Sequence, residues 1–415
     1  VNEARVTGMG VVAPNGIGTK SYWEAVLEGR GGIGRIGRFD HTPYPVTLAG
    51  EVDGFEPAEH VSSRLLVETS TMSHLAFAAA AEALADAGAD TAALDEYGLG
   101  VITANSTGGV EFGQRELENL WSNGPEHMSA YMSIAWFYAA TSGQLSIRHK
   151  LRGHCGVVVA DQAGGLDAIG QGRRALSGDQ GLVLVGGTES PMSPAGLVSQ
   201  IPTGRLSTRS DPDRAFLPFD ANATGAVTGE GGAILVLESP GHARGRGAAQ
   251  DHGAVIGHAS TFDPRPGSGR PPALEQALRA ALDDAGVAPG EVGAVFADAA
   301  GLPGPDLEEA RAITAVFGPR GVPVTAPKAL VGRLSAGAGP LDAVTALLAC
   351  RDRVIPATPN VTELARGCEI DLVTGEPRAA DPRIAVVLGR GHGGFNSALV
   401  VRGPRDPARS SVSGG

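Results

Sequence analysis

One stretch of this sequence sets a position suited to chemistry at a strand-to-helix turn. Val157-Val158-Val159-Ala160 is an apolar run that reads as a buried strand. Asp161-Gln162-Ala163-Gly164-Gly165 is a turn of small residues, and a helix carrying Leu166-Asp167-Ala168 follows. An elbow of this kind lifts one side chain onto a helix N-terminus, where free backbone N–H groups and the helix dipole favour negative charge. A cysteine there would have a lowered pKa and act as a nucleophile. The residue at the turn is Gln162. An amide neither attacks nor takes up a proton; it only donates and accepts hydrogen bonds.

A second segment places apolar residues at helical spacing. Val110, Gly113, Leu117 and then Leu120 and Trp121 recur every three to four residues, with Glu111, Arg115 and Glu118 mostly elsewhere. Gly113 on that stripe costs about 1 kcal/mol relative to alanine. A glycine retained on a packing face makes room for something, with close helix–helix approach as the plainer reading.

Other patterns carry less. Gly8-Met9-Gly10-Val11-Val12-Ala13 has the spacing of a dinucleotide fingerprint. However, Pro14-Asn15-Gly16 follows where a helix should run, and Asp40 is too distant and sits in a loop. The segment reads as a strand entering a turn. Cys155, Cys350 and Cys368 show neither CxxC nor metal spacing, which fits a reduced compartment. His149, His154, His242, His252 and His258 sit near loops or strand ends without partners at ligand spacing. Arg173-Arg174 and Arg244-Gly245-Arg246 are short basic patches that read as solvated faces or docking points for an acidic protein.

The elements that must hold these residues come from an acidic, apolar-rich chain. Its 415 residues carry a formal charge of −12, which argues against nucleic-acid binding as the default, and 42% of them are hydrophobic, enough for a large core. No apolar run approaches roughly 18 residues, so no membrane span is expected. The first residues show no basic-then-apolar leader, and a cytoplasmic location is expected. Apolar runs such as Leu182–Val185 and Ile384–Leu388 alternate with amphipathic helices, which predicts an α/β protein. Two echoes suggest duplication. The pattern Ala83–Gly88 followed by a strand at 100–104 returns as Ala281–Gly286 followed by a strand at 293–297. The strand-turn-helix around Leu166-Asp167-Ala168 returns around Leu341-Asp342-Ala343. The join is expected near residues 240–253, giving units of 1–250 and 251–403, with a disordered tail from 404.

On these residues the sequence resembles the β-ketoacyl synthases of the thiolase fold, and among them the chain-length factors, or ketosynthase-β subunits, of type II polyketide synthases. The marks are Asp161–Asp167, Thr7–Gly16, Leu217-Pro218-Phe219-Asp220, Gly229–Ala233 and Gly391-His392-Gly393-Gly394-Phe395, and the likeness covers residues 4–402. It implies two pseudo-symmetric halves in five αβαβα layers, with an insertion at about 105–150 at the dimer interface. Active members use a Cys-His-His triad supported by a lysine. By the resemblance, the cysteine position is Gln162, the first histidine is Ala300, the second is Arg333, and the lysine remains as Lys328. The glycine-rich gate has His392 in place of phenylalanine, followed by Gly393, Gly394 and Phe395. Acyl transfer needs a thiolate, and condensation needs groups that polarise the malonyl carboxylate and the thioester carbonyl. Three such losses together imply a chain that does not condense.

The resemblance further implies a heterodimer with a catalytic ketosynthase-α. It implies malonyl and polyketide thioesters brought by an acyl carrier protein on its phosphopantetheine arm, and no cofactor or metal bound by this chain. Val110, Gly113, Leu117 and Ala195 match positions that close the polyketide tunnel, and Met132 is a further wall residue. Small side chains there imply a long product, roughly a decaketide or longer. Gln162 either assists malonyl decarboxylation through its N–H or fills a dead pocket. Two other readings remain: a silent structural partner of the ketosynthase, and a chain-length factor of a reducing, polyene-type pathway. A homodimeric catalyst using Cys155 is disfavoured, because that thiol precedes the strand rather than sitting at the elbow.

Overall fold

The computed structural model describes residues 3–265 and 267–405; the rest of the tail expected from 404 lies outside the described residues. Among the described residues, five strands form the body of the first half of a twelve-stranded sheet, whose two remaining strands are the short Gly16–Ile17 and Asp371–Leu372: β1 (Ala4–Ala13), β2 (Leu99–Ala104), β3 (Cys155–Val158), β4 (Leu182–Glu189) and β5 (Gly231–Glu238). Five more repeat the plan: β6 (Gly253–Phe262), β7 (Ala294–Phe296), β8 (Pro323–Thr325), β9 (Ile384–Arg390) and β10 (Phe395–Arg402). The spatial order is β3-β2-β4-β5-β1 in the first half and β8-β7-β9-β10-β6 in the second. In both halves the fourth and second strands run parallel, as do the second and third, while the remaining pairs are antiparallel. The start of β1 pairs with the start of β6, Ala4 opposite Val255 and Val6 opposite Gly253, which joins the halves into one sheet.

Helices α1 (Thr71–Ala87) and α4 (Leu274–Ala285) cover the outer faces of the two halves, and α3 (Asp161–Ala175) and α6 (Ala338–Asp352) lie between them. Helix α2 (Val110–Asn123) belongs to the segment between β2 and β3, and α5 (Pro303–Phe317) packs beside α4. The result is the five-layered thiolase arrangement. The central helices touch closely because a Cβ on Gly165 would meet Pro340 Cδ at 2.2 Å, and one on Gly339 would meet Leu166 Cγ at 2.8 Å.

Duplication is visible in fine detail. Both β1 and β6 carry a bulge at the same place, between Val6 and Gly8 and between Val255 and Gly257. A Cβ on Gly8 would lie 2.0 Å from the Ala83 carbonyl oxygen, and one on Gly257 2.4 Å from that of Ala281. The glycines therefore seat equivalent helices. Asp86 Oδ2 accepts the Met9 N–H at 2.9 Å, and Asp284 Oδ2 accepts that of His258 at 2.9 Å. Gly88 and Gly286 end the two helices at φ 59° and 65°.

Several local expectations change. The run before the elbow was expected to be a fully buried strand. Instead β3 is the outermost strand of its half, pairs with β2 alone among the described strands, and is only partly buried. Cys155 begins this strand rather than preceding it, and is exposed. Arg173 is no surface patch; it is buried and bonded to Asp284 at 2.6 Å. His258, near the middle of β6, is buried, with Nε2 3.0 Å from Asp167 and Arg174 donating to Nδ1 at 3.2 Å. His242 and His252 pair with Glu238 and Asp86 at 2.7 Å each. The partners of His252 and His258 come from distant chain segments, which spacing along the sequence does not reveal, whereas Glu238 stands only four residues before His242.

Candidate functional site: a closed elbow and an outward stripe

At the elbow, Ala160 leaves β3 with φ −149°, Asp161 turns the chain at φ 49°, and α3 begins. A non-glycine residue at positive φ is held there by its surroundings. The holding contact comes from the gate: Asp161 Oδ2 accepts the His392 N–H at 2.7 Å. Gly391 passes so close that its Cβ would lie 2.5 Å from the Ala160 carbonyl oxygen. Gly393 and Gly394 turn at φ 92° and 113°, and Phe395 stacks edge-on against Phe262 at 5.0 Å. Ala299 and Ser335 also sit at positive φ, 53° and 47°. Three strained residues therefore converge on one place, although none of them stands at a triad position.

That place is a pocket of about 430 Å³ whose lining includes Asp161, Gln162, Arg205, Ala300, Arg333, Ser335, His392 and Phe395. Gln162 is 7% exposed on the first turn of α3. With its amide oriented by its neighbours, nitrogen donates to the Ser335 carbonyl and oxygen accepts the Ser335 N–H, each at 3.2 Å. One amide N–H is left for the pocket. Ala300 contributes only a methyl group. Arg333 is not free to meet a ligand. Its Nη1 donates to the Asp298 and Ala299 carbonyls at 2.9 and 3.0 Å, and its Nη2 reaches both Asp298 carboxylate oxygens at 3.0 Å. Burial raises the Asp298 pKa, but the charges of Arg333, Lys328 and Arg390 outweigh it and leave the carboxyl below its ordinary value. Lys328 lies behind the pocket, paired with Asp342 at 2.5 Å with both side chains buried. Burial carries Asp342 up to about 6 even against that ammonium. Under the rim, Glu189 is fully buried, hydrogen-bonds Ser106 and Thr107, and is pushed by burial up to about 8.

The tunnel candidates gather elsewhere. Helix α2 packs on its own chain through Phe112, Gly113 and Glu116; Val110 is half-buried and Leu117 is 42% exposed. The Leu117 end of the stripe thus faces outward, Val110 lies part-way, and Gly113 is packed against the chain itself. Glu111 accepts the Thr71 N–H at 2.7 Å, and Gln114 Oε1 accepts that of Ala195 at 2.8 Å, which brings Ala195 to the same side. Met132 approaches from the following segment: its Cε would be 3.5 Å from a Cβ on Gly113. Trp121, Ile134, Trp136, Phe137 and Ile147 are exposed along this part of the chain, as is Val159 beyond the end of β3. Exposed apolar side chains concentrated in one segment are the kind of surface that association with another chain would cover.

Sequence reasoning missed Arg205, Asp298, Ser335 and Trp136. Ser335, two residues beyond Arg333, had no signal of its own, whereas Trp136 stood in an aromatic run within the insertion.

Family models for the β-ketoacyl synthase N-terminal domain and C-terminal domain match residues 2–243 and 252–362. The chain belongs to the β-ketoacyl synthase family. Within it, similarity points to the ketosynthase-β, or chain-length factor, branch of type II polyketide synthases. The chain is 55% identical over 397 residues to the actinorhodin polyketide putative beta-ketoacyl synthase 2 of Streptomyces coelicolor, covering 96% of this chain and 98% of that protein. It is 55% identical over 398 residues to the tetracenomycin polyketide synthase ketoacyl synthase beta subunit of Streptomyces glaucescens, covering 96% and 97%. Among solved structures it resembles the ishigamide ketosynthase/chain length factor, with a TM-score of 0.90, 28% identity, and 98% and 100% coverage. It also resembles a type II polyketide synthase acyl-carrier protein complex with its ketosynthase bound to the hexaketide, with a TM-score of 0.86, 25% identity, and 97% and 100% coverage. Among the described residues no helix is long and apolar enough to cross a membrane, and no cluster of His, Cys, Asp and Glu could hold a metal ion.

Proposed function

We propose that this chain is the non-condensing subunit of a type II polyketide synthase, built from units of about 1–250 and 251–403. It pairs with a ketosynthase-α through the open edge of β3 and the apolar face of the 105–150 segment. It walls the far end of the tunnel in which the partner extends a poly-β-ketone, long enough for roughly a decaketide or more. The chemistry is the partner's. The observation that carries this reading is the pocket itself. The three triad positions hold an amide, a methyl and a guanidinium already bound to Asp298, so no thiolate forms and no imidazole moves a proton. The exposed Leu117 and Ala195 and the half-buried Val110 support the length-setting role. Malonyl and ketide units reach the complex on the phosphopantetheine arm of an acyl carrier protein.

A second role for Gln162 is favoured by its position. Clasped by Ser335 at a helix N-terminus, it is a preorganised donor with one N–H spare for the enolate oxygen formed as a malonyl thioester loses CO₂. An oxyanion donor of this kind is worth ~3 kcal/mol. Gln162→Ala is therefore expected to slow malonyl decarboxylation by the complex about 100-fold. Release of labelled CO₂ from malonyl-carrier protein measures it, and an unchanged rate would reduce Gln162 to a plug.

A further inference from the structure

The segment after α2 folds back across the side on which Val110, Gly113 and Leu117 lie. Its Trp136 carbonyl accepts the Gly109 N–H at 3.2 Å, which pins the segment to the first turn of the helix. A Cβ on Gly113 would stand 2.7 Å from Trp136 Cδ1 and 3.3 Å from its Nε1. The room left by the glycine is thus occupied: the edge of the indole sits in it. Tyr138 flanks the same ring at 6.1 Å between centroids. Trp136 nevertheless keeps 43% of its surface exposed, and Leu117 and Phe137 are exposed as well.

We propose that Trp136 is the specificity-determining residue at the end of the polyketide tunnel, and that position 113 is glycine in order to seat it. The proposal rests on the length-setting role given to α2 above. An indole is large and rigid, and held edge-on over the helix it presents a blunt wall beside the stripe. A tunnel bounded by Val110, Gly113, Leu117 and Ala195 alone would have only small side chains at this point. With the indole seated, the wall stands where the ring lies. Any side chain at position 113 must push the ring outward, since overlap at 2.7 Å is not tolerated, and the displaced ring then narrows the space between Val110 and Leu117.

The test uses the co-purified heterodimer with its carrier protein, malonyl units and mass analysis of the polyketides released. Trp136→Ala is expected to lengthen the main product by at least one two-carbon unit, and Trp136→Phe to lengthen it less. Gly113→Ala is expected to shift the products shorter, and to lose that effect when combined with Trp136→Ala. If Trp136→Ala does not co-purify with the partner, Trp136→Phe decides. Unchanged product length in the intact Trp136 variants, with Val110→Trp still shortening the product, would overturn the proposal and leave the tunnel reading standing. Unchanged length in Val110→Trp as well would remove the tunnel reading and this proposal together.

Discussion

Replacing Val110 by tryptophan is expected to shorten the polyketide released by the proposed heterodimer while leaving the early condensations unaffected. Val110 opens α2, is half-buried, and shares its side of the helix with Leu117. Its own chain packs most closely on Phe112, Gly113 and Glu116, and Val110 stays only half-buried, so the change does not fill a closed core. Forcing extra volume into a packed apolar space costs ~1–3 kcal/mol. Each 1.4 kcal/mol is tenfold in rate, so only the last extension steps, when the chain tip reaches the wall, slow by roughly 10- to 100-fold. Release then competes with extension, and the distribution moves down by one or more two-carbon units. Mass analysis of the products is the measurement, with total malonyl consumption as the control. Leu117→Trp should act in the same direction. A variant in which every product becomes scarcer, with no change in length, would point to a damaged interface instead.

The second large effect concerns stability. Arg333→Ala is expected to destabilise the chain by ~3–5 kcal/mol, because it removes the guanidinium paired directly with the buried Asp298 carboxylate and leaves only the more distant charges of Lys328 and Arg390. It also strips donors from the Asp298 and Ala299 carbonyls, in a loop where Ala299 is already strained. The Asp298 carboxyl is held below its ordinary value in the fold. The stability it contributes is therefore present above the unfolded carboxylate range and is lost as acid protonates it. As a control, Arg279→Ala breaks an exposed i,i+4 pair with Glu275 and one exposed hydrogen bond to the Ala315 carbonyl, and should cost only about 1 kcal/mol. Denaturant midpoints of the two variants separate the cases. An Arg333→Ala midpoint no lower than that of Arg279→Ala would mean that the guanidinium is not the structural clamp described, and would reopen a role for it at the pocket.

The two halves were legible because duplication leaves local marks. Gly88 and Gly286 stop their helices in the left-handed conformation, and the strands that follow occupy equivalent places in the sheet. The elbow was legible because a strand, a small-residue turn and a helix are contiguous in the chain. What stayed hidden depends on contacts between distant segments. Nothing near Arg333 announces that Asp298, 35 residues earlier, will absorb its charge. Nothing at Gly113 tells whether the missing side chain leaves a hole or a seat, until Trp136 is found in the space. The apolar run before Gln162 gave no warning that β3 would be an outermost strand, because composition alone does not tell an apolar edge strand from one buried between two others. His252 and His258 appeared isolated because their carboxylate partners, Asp86 and Asp167, come from helices far away in the sequence.

The most direct measurement is the intact mass of both subunits trapped during turnover with malonyl-carrier protein. Acyl adducts are expected on the ketosynthase-α alone, with this chain at its unmodified mass throughout. A thioester-linked ketide on this chain, or carbon–carbon bond formation by it without the partner, would contradict the account.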